Sequence, residues 1–178
     1  MDGKSLRVAI SGKSGCGNTT VSRLLAERLN VRFINYTFRS MAEEQNRSFD
    51  EMYQMAQKDD TWDRYLDRRQ VELAMEGSCV LGSRLAIWML KEADLSVYLS
   101  VSPHIRAQRI HHREGGTLED KQRETEERDR HDRERYKRIY SIDIDDWSLA
   151  DLIVDANEIG PEAIVEIILT QLKAQGAL

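Results

Sequence analysis

A glycine-rich stretch near the start of the chain constrains the fold more than any other part of the sequence. It follows an apolar run at residues 6–10 and precedes an amphipathic run at residues 21–29, so the local order is strand, turn and helix. We call residues 12–20 the glycine turn; they are Gly12, Lys13, Ser14, Gly15, Cys16, Gly17, Asn18, Thr19 and Thr20. The turn meets the pattern G-x-x-x-x-G-K-[ST] at every fixed place but one, because Asn18 stands where the lysine belongs.

The chemistry of the glycine turn is that of an anion site. Glycines allow backbone torsions and a close approach that other side chains would block. Successive N–H groups and the positive end of the following helix would then point at one polyphosphate. Thr19 keeps the hydroxyl that would bind a magnesium ion. Lys13 is our candidate to supply the missing ammonium by folding over the turn from its other side, and a lysine that only faces solvent is the alternative.

Four more short apolar runs follow, separated by helical patterns. They cover residues 31–35, 78–81, 95–101 and 152–156. Buried strands that alternate with helices are typical of α/β proteins, so we predict a five-stranded parallel sheet with helices on both faces, in a single domain of 178 residues. Two helical excursions leave this core. Ser48 and Glu51 have the spacing of a capping box in the first, at 37–75, and Gly115 and Gly116 predict a break in the second, at 104–138.

Composition narrows the class of ligand. The net charge of −5 argues against a nucleic-acid partner, yet residues 104–138 hold eleven Lys/Arg, nine Asp/Glu and all four histidines. A basic segment inside an acidic protein suits a small polyphosphate better than a long duplex. No apolar run approaches the ~20 residues that cross a membrane, and no signal-peptide pattern is present. Cys16 and Cys79 have neither disulfide nor metal spacing, so we expect a cytoplasmic protein.

Arginines stand where a sheet of this kind would bind a ligand. Arg84 follows the third predicted strand, and open α/β sheets bind ligands beyond the carboxyl ends of their strands. Arg128 and Arg135 lie two helical turns apart with Asp132 between them, so they could reach two points of one polyphosphate. For most arginines of this helix a solvated face is nevertheless the better explanation, because acids lie four positions before them. These pairs are Glu124–Arg128, Glu126–Arg130, Asp129–Arg133 and Glu134–Arg138.

Three weaker candidates remain open from the sequence. Cys16 would stand at a helix N-terminus, which can lower a thiol pKa, so a redox-sensitive turn is one hypothesis. His111 and His112 are adjacent on a helix and diverge, which argues against a metal site. Aromatic residues of the first excursion could stack on a base, although aromatics at helical spacing more often belong to a core. They are Tyr36, Tyr53, Trp62 and Tyr65.

Motifs along nearly the whole chain resemble the short, archaeal-type cytidylate kinases of the nucleoside monophosphate kinase family. Besides the glycine turn and its continuation as TTVSRLLAE, they are DRRQ at 67–70, RLA with WM at 84–89, ADL leading into VYL at 93–99, and RYKRIY running into IDI at 135–144. The resemblance implies a core of residues 1–36, 76–103 and 139–178, a monophosphate-binding arm at 37–75 and a mobile lid at 104–138. It also implies a monomer that uses ATP and Mg²⁺ to phosphorylate CMP, and dCMP as well.

The resemblance also implies roles for individual residues. The whole glycine turn would hold the ATP phosphates, with Thr19 at the magnesium ion, and residues 157–160 would lie by adenine. The side chains that would face CMP are Arg39, Asp67, Arg68 and Arg84. Those that would surround the transferring phosphoryl group are Arg109, Arg113, Arg128 and Arg135, with Asp132 orienting the last pair. Lys13 joins this catalytic set by our own hypothesis of a substitute ammonium.

Two departures from the family pattern concern catalysis. Asn18 replaces the lysine that normally bridges the β- and γ-phosphates, and the loss of one such stabiliser costs on the order of 10²–10³ in rate. Gly82, just before Ser83 and Arg84, stands where the family usually shows an acid that anchors the magnesium water shell. An active CMP kinase is our first hypothesis. A nucleotide-binding protein without useful catalysis and a kinase for another small phosphate acceptor are the alternatives.

Overall fold

The computed structural model describes residues 5–178, and their strands form one parallel sheet in the order β2–β3–β1–β4–β5. The strands are β1 (Arg7–Gly12), β2 (Arg32–Ile34), β3 (Cys79–Gly82), β4 (Leu95–Ser100) and β5 (Leu152–Asp155). The predicted five-stranded parallel sheet is confirmed, with strand ends that differ slightly from those expected. Because β1 lies between β3 and β4, the carboxyl ends of these three strands meet at one edge.

Eight helices connect and cover the strands of the described residues. They are α1 (Asn18–Leu29), α2 (Phe38–Glu44), α3 (Phe49–Lys58), α4 (Thr61–Met75), α5 (Ala86–Met89), α6 (Pro103–Glu114), α7 (Leu118–Tyr140) and α8 (Pro161–Ala174). The first excursion is thus broken twice. Its second helix begins with the predicted capping box, in which Ser48 accepts from the Glu51 N–H and Glu51 accepts from the Ser48 N–H.

Side chains of the sheet alternate between two cores. Val8 and Ile10 of β1 pack with α1 and α8, whereas Ala9 between them packs with α5, Tyr136 of α7 and Ile144. Burial on both faces explains the continuous apolar runs in the sequence. The consequence for the site is rigidity, because the strands that carry the glycine turn and Arg84 are fully enclosed.

The second excursion consists of α6 and a 23-residue α7. Gly115 and Gly116 separate them with φ angles of 77° and 85°, a region that glycine enters without strain. The predicted break is therefore confirmed. The helix α7 continues without interruption past the expected end of the excursion to Tyr140. No helix among the described residues is long and apolar enough to cross a membrane.

Candidate active site

A cleft of about 1200 Å³ lies beyond the carboxyl ends of β1 and β3. The glycine turn forms its floor, Arg84 and the residues after β3 form one side, and α4 and α7 form the walls. Single-ligand pockets usually measure about 300–1,000 Å³, so this cleft has room for two small ligands. Its position matches the ligand-binding edge of open α/β sheets.

The glycine turn adopts a shape that only glycines permit at two places. Gly15 and Gly17 have φ angles of 82° and 93°. A Cβ on Gly12 would lie 2.5 Å from the Cys16 Sγ and 3.0 Å from the Leu99 carbonyl oxygen, so close packing also fixes this glycine. All nine predicted residues of the turn line the cleft. The N-terminus of α1 faces the same space, which makes this region suitable for an anion.

Cys16 contradicts the redox hypothesis. Its side chain is buried beneath the turn in the core, and that burial raises the pKa of the thiol above its ordinary value. The nearby arginines and the turn backbone oppose this rise without reversing it. The thiol therefore remains protonated and enclosed. The helix N-terminus does not activate it because desolvation outweighs the local positive field.

Asn18 turns its side chain into the sheet. Its Nδ2 donates to the Ile10 carbonyl at 2.9 Å and to the Ser83 carbonyl at 3.3 Å. Its Oδ1 accepts from the Ser22 hydroxyl at 2.7 Å. Gly82 lies directly beside this group, since an added Cβ would come within 2.5 Å of the Ser22 Oγ. The two departures from the family pattern are thus neighbours in space.

The Lys13 ammonium lies among acids. Its Nζ is 2.5 Å from the Asp145 carboxylate and 4.0 Å from that of Asp129. Burial would raise the pKa of Asp145, but hydrogen bonds from Lys13 and Arg133 outweigh it and hold that pKa below its ordinary value. Lys13 lines the cleft from the side of α7, and its role as a substitute ammonium stays a prediction.

The structure brings most of the predicted arginines to the cleft, where each has a protein partner. Arg84 Nη1 lies 2.7 Å from the Asp132 carboxylate, and burial raises the pKa of Asp132 while Arg84 opposes that rise. Arg135 forms an ion pair with Asp63 of α4. Arg128 donates to the Ser14 hydroxyl at 2.9 Å. The arginines that line the cleft are Arg84, Arg109, Arg113, Arg128 and Arg135.

Arg109 joins the glycine turn to the loop after β5. Its guanidinium donates to the Cys16 carbonyl at 3.1 Å and to the Ala156 carbonyl at 2.6 Å, with a longer contact of 3.4 Å to the Asn157 carbonyl. These contacts join the glycine turn, through Arg109, to Ala156 and Asn157, at the start of the segment 157–160 that the resemblance assigns to adenine.

Two predicted substrate residues lie outside the cleft. The Arg39 guanidinium stacks on the Phe49 ring at 5.0 Å from its centroid. Arg68 is exposed and lies 3.6 Å from Glu72 on its own helix. Neither side chain is among the residues that line the cleft. Their predicted contacts with a monophosphate would require movement of the arm and stay predictions.

Asp67 is a buried carboxylate on the α4 wall. Its Oδ2 accepts from the Tyr140 hydroxyl at 2.6 Å. Burial raises the pKa of Asp67 to about 6, and the tyrosine bond only partly opposes that rise. Gln70, one turn further along α4, is also buried and donates to the Tyr36 carbonyl at 2.9 Å. Asp63 lies one turn before Asp67, so α4 presents a polar face to the cleft.

Sequence reasoning missed Arg106, which is the most enclosed charge near the glycine turn. Its side chain is 1% exposed. The guanidinium donates to the Ser14 carbonyl at 3.0 Å and to both Asp129 oxygens at 3.1 and 2.5 Å. The sequence does contain one indication that Arg106 is buried. It lies four residues before the apolar Ile110, and therefore on the same face of α6. Arg106 connects α6, the turn and α7, so it fixes α7 above the turn.

The chemistry of a metal here depends on few protein groups. No cluster of three or more His, Cys, Asp or Glu side chains in residues 5–178 could hold a metal ion. Thr19 and Gly82 are both among the residues that line the cleft, and Gly82 carries no carboxylate. Magnesium is commonly bound through few protein ligands together with substrate phosphates and water. The donor set therefore fits a magnesium ion that arrives with a nucleotide.

The parallel sheet, the glycine turn and the arginine-lined cleft define a phosphate-loop protein of the small-molecule kinase type. Shikimate kinase from Bacteroides thetaiotaomicron has a similar fold, with a TM-score of 0.63, 19% identity and coverage of 94% of this chain and 98% of that one. Deoxyadenosine kinase from M. mycoides with bound dATP gives a TM-score of 0.59 and 19% identity, with coverage of 94% and 100%. At this identity the likeness concerns the fold alone.

Sequence comparison gives the family. Residues 7–158 match the cytidylate kinase-like family. The chain is 46% identical over 171 residues to cytidylate kinase 2 of Borreliella afzelii, covering 94% of this chain and 96% of the relative. It is 38% identical over 165 residues to cytidylate kinase of Pyrococcus horikoshii, covering 92% and 86%. This chain therefore belongs to the cytidylate kinase-like family, as its motifs predicted.

Proposed function

We propose that the protein transfers the γ-phosphoryl group of ATP to CMP and dCMP, giving ADP and CDP or dCDP. The observation that carries the proposal is the convergence of the glycine turn and five arginines on one cleft, in a chain whose relatives are cytidylate kinases. Phosphoryl transfer requires little covalent chemistry from the protein. It depends on positioning two nucleotides and on stabilising charge, which this arrangement supplies.

ATP would occupy the side of the glycine turn. Backbone N–H groups and the N-terminus of α1 would hold its phosphates, and residues 157–160 would lie by adenine. The Thr19 hydroxyl would hold magnesium together with the phosphates, and the ion would neutralise developing charge. Arg109 supports this assignment because it already ties the turn to the loop after β5.

CMP would occupy the side of α4. Arg84 at the end of β3 is suited to the monophosphate, since its planar fork can bond two phosphate oxygens at once. Asp67 accepts from Tyr140 through one oxygen, and its second oxygen can accept from an amino group such as that of cytosine. A keto oxygen at the same place would offer no proton to an ionised Asp67. This difference supports cytidylate over uridylate as the acceptor.

The transferring group would lie between Arg84 and the arginines of α6 and α7. Arg84 forms an ion pair with Asp132, and Arg135 forms one with Asp63. Each carboxylate would hold its guanidinium near the cleft until a phosphate replaces it. We assign residues 37–75 as the monophosphate arm and 104–138 as the lid. The glycine break between α6 and α7 supports a hinge at the tip of the lid, which would exclude water on closing.

The proposed setting is a monomer in a reducing cytoplasm, without nucleic-acid partners. Both cysteines are free and buried, which suits a reducing compartment. The negative net charge supports small nucleotides rather than a polynucleotide as ligands.

A coupled assay of ADP release tests the function directly. We expect turnover with CMP and dCMP, and a rate at least tenfold lower with UMP, because uracil has a keto oxygen in place of the amino group that Asp67 would accept from. AMP, whose adenine also carries an amino group, is the purine comparison. Turnover with another acceptor alone would favour the third hypothesis. ADP or ATP binding without turnover on any monophosphate would favour the binding protein. Near-normal turnover of a Lys13→Ala variant would rule out compensation by Lys13.

A further inference from the structure

The Asn18 side chain closes the gap between the ends of two strands. The Ile10 carbonyl, two residues before the end of β1, accepts from the Ser83 N–H at 3.2 Å and from Asn18 Nδ2 at 2.9 Å. The Ser83 carbonyl, just after β3, accepts from the same amide nitrogen at 3.3 Å. Two carbonyls demand a donor, so the nitrogen of the amide must face them. The first turn of α1 is thereby bonded to β1 and β3 together.

Ser22 completes this arrangement from one turn further along α1. Its hydroxyl donates to Asn18 Oδ1 at 2.7 Å, and the side chain is fully buried. The space that these two side chains occupy is the space that a residue larger than glycine would need at position 82. A Cβ there would lie 2.8 Å from Ser22 Cβ and 3.1 Å from Asn18 Oδ1. Gly82 is therefore required by the contact between α1 and β3.

We propose that Asn18, Ser22 and Gly82 form one unit that positions the glycine turn, and that Asn18 acts through the turn backbone. The side chain of Asn18 is committed to Ile10, Ser83 and Ser22, so it does not serve as a shortened phosphate ligand. The two departures from the family pattern, Asn18 in place of the lysine and Gly82 in place of the acid, then depend on each other. A packed, neutral hydrogen-bonded group occupies the position where the usual pattern has a phosphate-binding cation and a magnesium anchor.

This unit explains why a lysine would not fit at position 18. An ammonium carries donors and no acceptor, so the buried Ser22 hydroxyl would lose its partner. A buried polar group without a partner is costly, and Ser22 already occupies the space in front of Gly82, where an added Cβ would come within 2.5 Å of its Oγ. Restoring the consensus residue alone is therefore expected to harm nucleotide binding.

Calorimetric titration with ADP tests the unit through a double-mutant cycle. The cycle uses the Asn18→Ala and Ser22→Ala variants and their double variant. We expect Asn18→Ala to raise the ADP dissociation constant about tenfold, because two to three neutral hydrogen bonds that hold the turn are lost. Ser22→Ala should raise it about threefold in the native background and leave it unchanged when Asn18 is already alanine. Glu27→Gln, on the exposed face of α1, is the matched control and should bind ADP like the native protein.

Two results would overturn the proposal. One is an unchanged ADP affinity for Ser22→Ala, because a direct contact between Asn18 and phosphate needs no help from Ser22. The other is tighter ADP binding by Asn18→Lys. That result would show that a positive charge at position 18 contributes more to ADP binding than the hydrogen bonds by which Asn18 positions the turn. Melting temperatures recorded on the same samples separate loss of fold from loss of affinity. The inference rests on the proposed function only for the choice of ADP, and a native protein that binds ADP without turning over CMP leaves this cycle intact.

Discussion

The glycine turn and the contact between α4 and α7 bound the same cleft, yet they are held by different interactions. The turn is fixed mainly by glycine torsions, core packing and the neutral bonds of Asn18, and two guanidinium groups also bond its backbone carbonyls. The opposite side, which we call the α4–α7 seam, is made largely of charged groups. Four of its polar contacts are Asp60–Arg138, Asp63–Arg135, Arg64 to the Ile139 carbonyl, and Tyr140 to Asp67.

This difference indicates a division of work. Neutral buried bonds have one arrangement, so the turn presents its N–H groups in a fixed geometry. An arginine on a carboxylate can exchange that partner for a phosphate, and Arg135 in the seam faces the cleft where a phosphate would arrive. We therefore expect the seam to respond to charge, salt and pH, and the turn to respond to packing.

The largest effect should come from breaking the charged link between the two regions. Arg106→Met removes the buried guanidinium and leaves the Ser14 carbonyl without this donor and Asp129 with only the Lys13 ammonium, 4.0 Å away. Breaking a buried pair by removing one partner typically costs about 3–5 kcal/mol, and we expect that loss in the free energy of unfolding. Denaturant titration measures it.

The matched control for Arg106→Met is Arg28→Met. Arg28 of α1 forms an ion pair with Glu166 of α8, and both side chains are exposed. A double variant, Arg106→Met with Asp129→Leu, should recover part of the stability, since no uncompensated carboxylate remains. A loss of stability no greater than that of the control would show that α7 is held above the turn by other contacts.

The next effect concerns the exchange of carboxylate for phosphate. Arg84→Gln should lower kcat/KM for CMP by on the order of 10²–10³, the usual result of removing one fixed stabiliser of transferring charge. Steady-state kinetics measure it, with Arg130→Gln on the exposed face of α7 as the control. A decrease of less than about fivefold would mean that Arg84 serves only to hold Asp132.

Much of the fold could be predicted because its signals are local. Each strand is a short apolar run with turn residues beside it, and burial on both faces makes such runs continuous. The glycine turn was predicted residue by residue, since its shape depends on its own glycines. Arg84 was placed correctly at the cleft because the carboxyl end of β3 fixes the position of the residues directly after it.

Partners across the chain could not be predicted in the same way. Helical spacing pairs Asp129 with Arg133, whereas the structure pairs Asp129 with Arg106 and Arg133 with Asp145. In a helix with many charges of both signs, local spacing offers a weak partner to almost every residue. Tertiary contacts then decide which partner each residue takes. No pattern within α7 distinguishes Asp129, which is largely enclosed, from the exposed acids of the same helix. The same limit explains why Arg39, which stacks on Phe49, was expected at the cleft.

The pH response of the seam should be intermediate in size. Asp67 has a pKa of about 6 in the folded protein, above the unfolded value of about 3.9, so ionising it destabilises the fold. Its contribution to stability is complete below about pH 4 and is lost as the pH rises through 6. Asp67→Asn keeps an acceptor for Tyr140 and should be more stable than the native protein by about 1–3 kcal/mol at pH 7.5.

Denaturant titrations at two pH values check the Asp67 prediction. The stability gain of Asp67→Asn should fall to roughly a third at pH 4.5, because the carboxyl is then protonated in the folded state but still mostly ionised in the unfolded state. Other carboxyls whose pKa is raised, such as that of Asp132, are present in both proteins. Their contributions therefore cancel in the difference between the two free energies of unfolding. A gain of equal size at both pH values would assign the effect to packing and not to ionisation.

The smallest effect is expected at the exposed end of the seam. Asp60 accepts from Arg138 at 2.6 Å, but both side chains are open to solvent, where an ion pair gains little and salt screens it. Asp60→Asn should leave the denaturation midpoint unchanged within error at low and at high salt. Asp63→Asn, at the buried position beside Arg135, should lower it clearly at both salt concentrations. The prediction is wrong if the two variants lose stability equally and high salt abolishes both losses. The buried and the exposed ion pairs of the seam would then contribute alike, as charges on a solvated surface do.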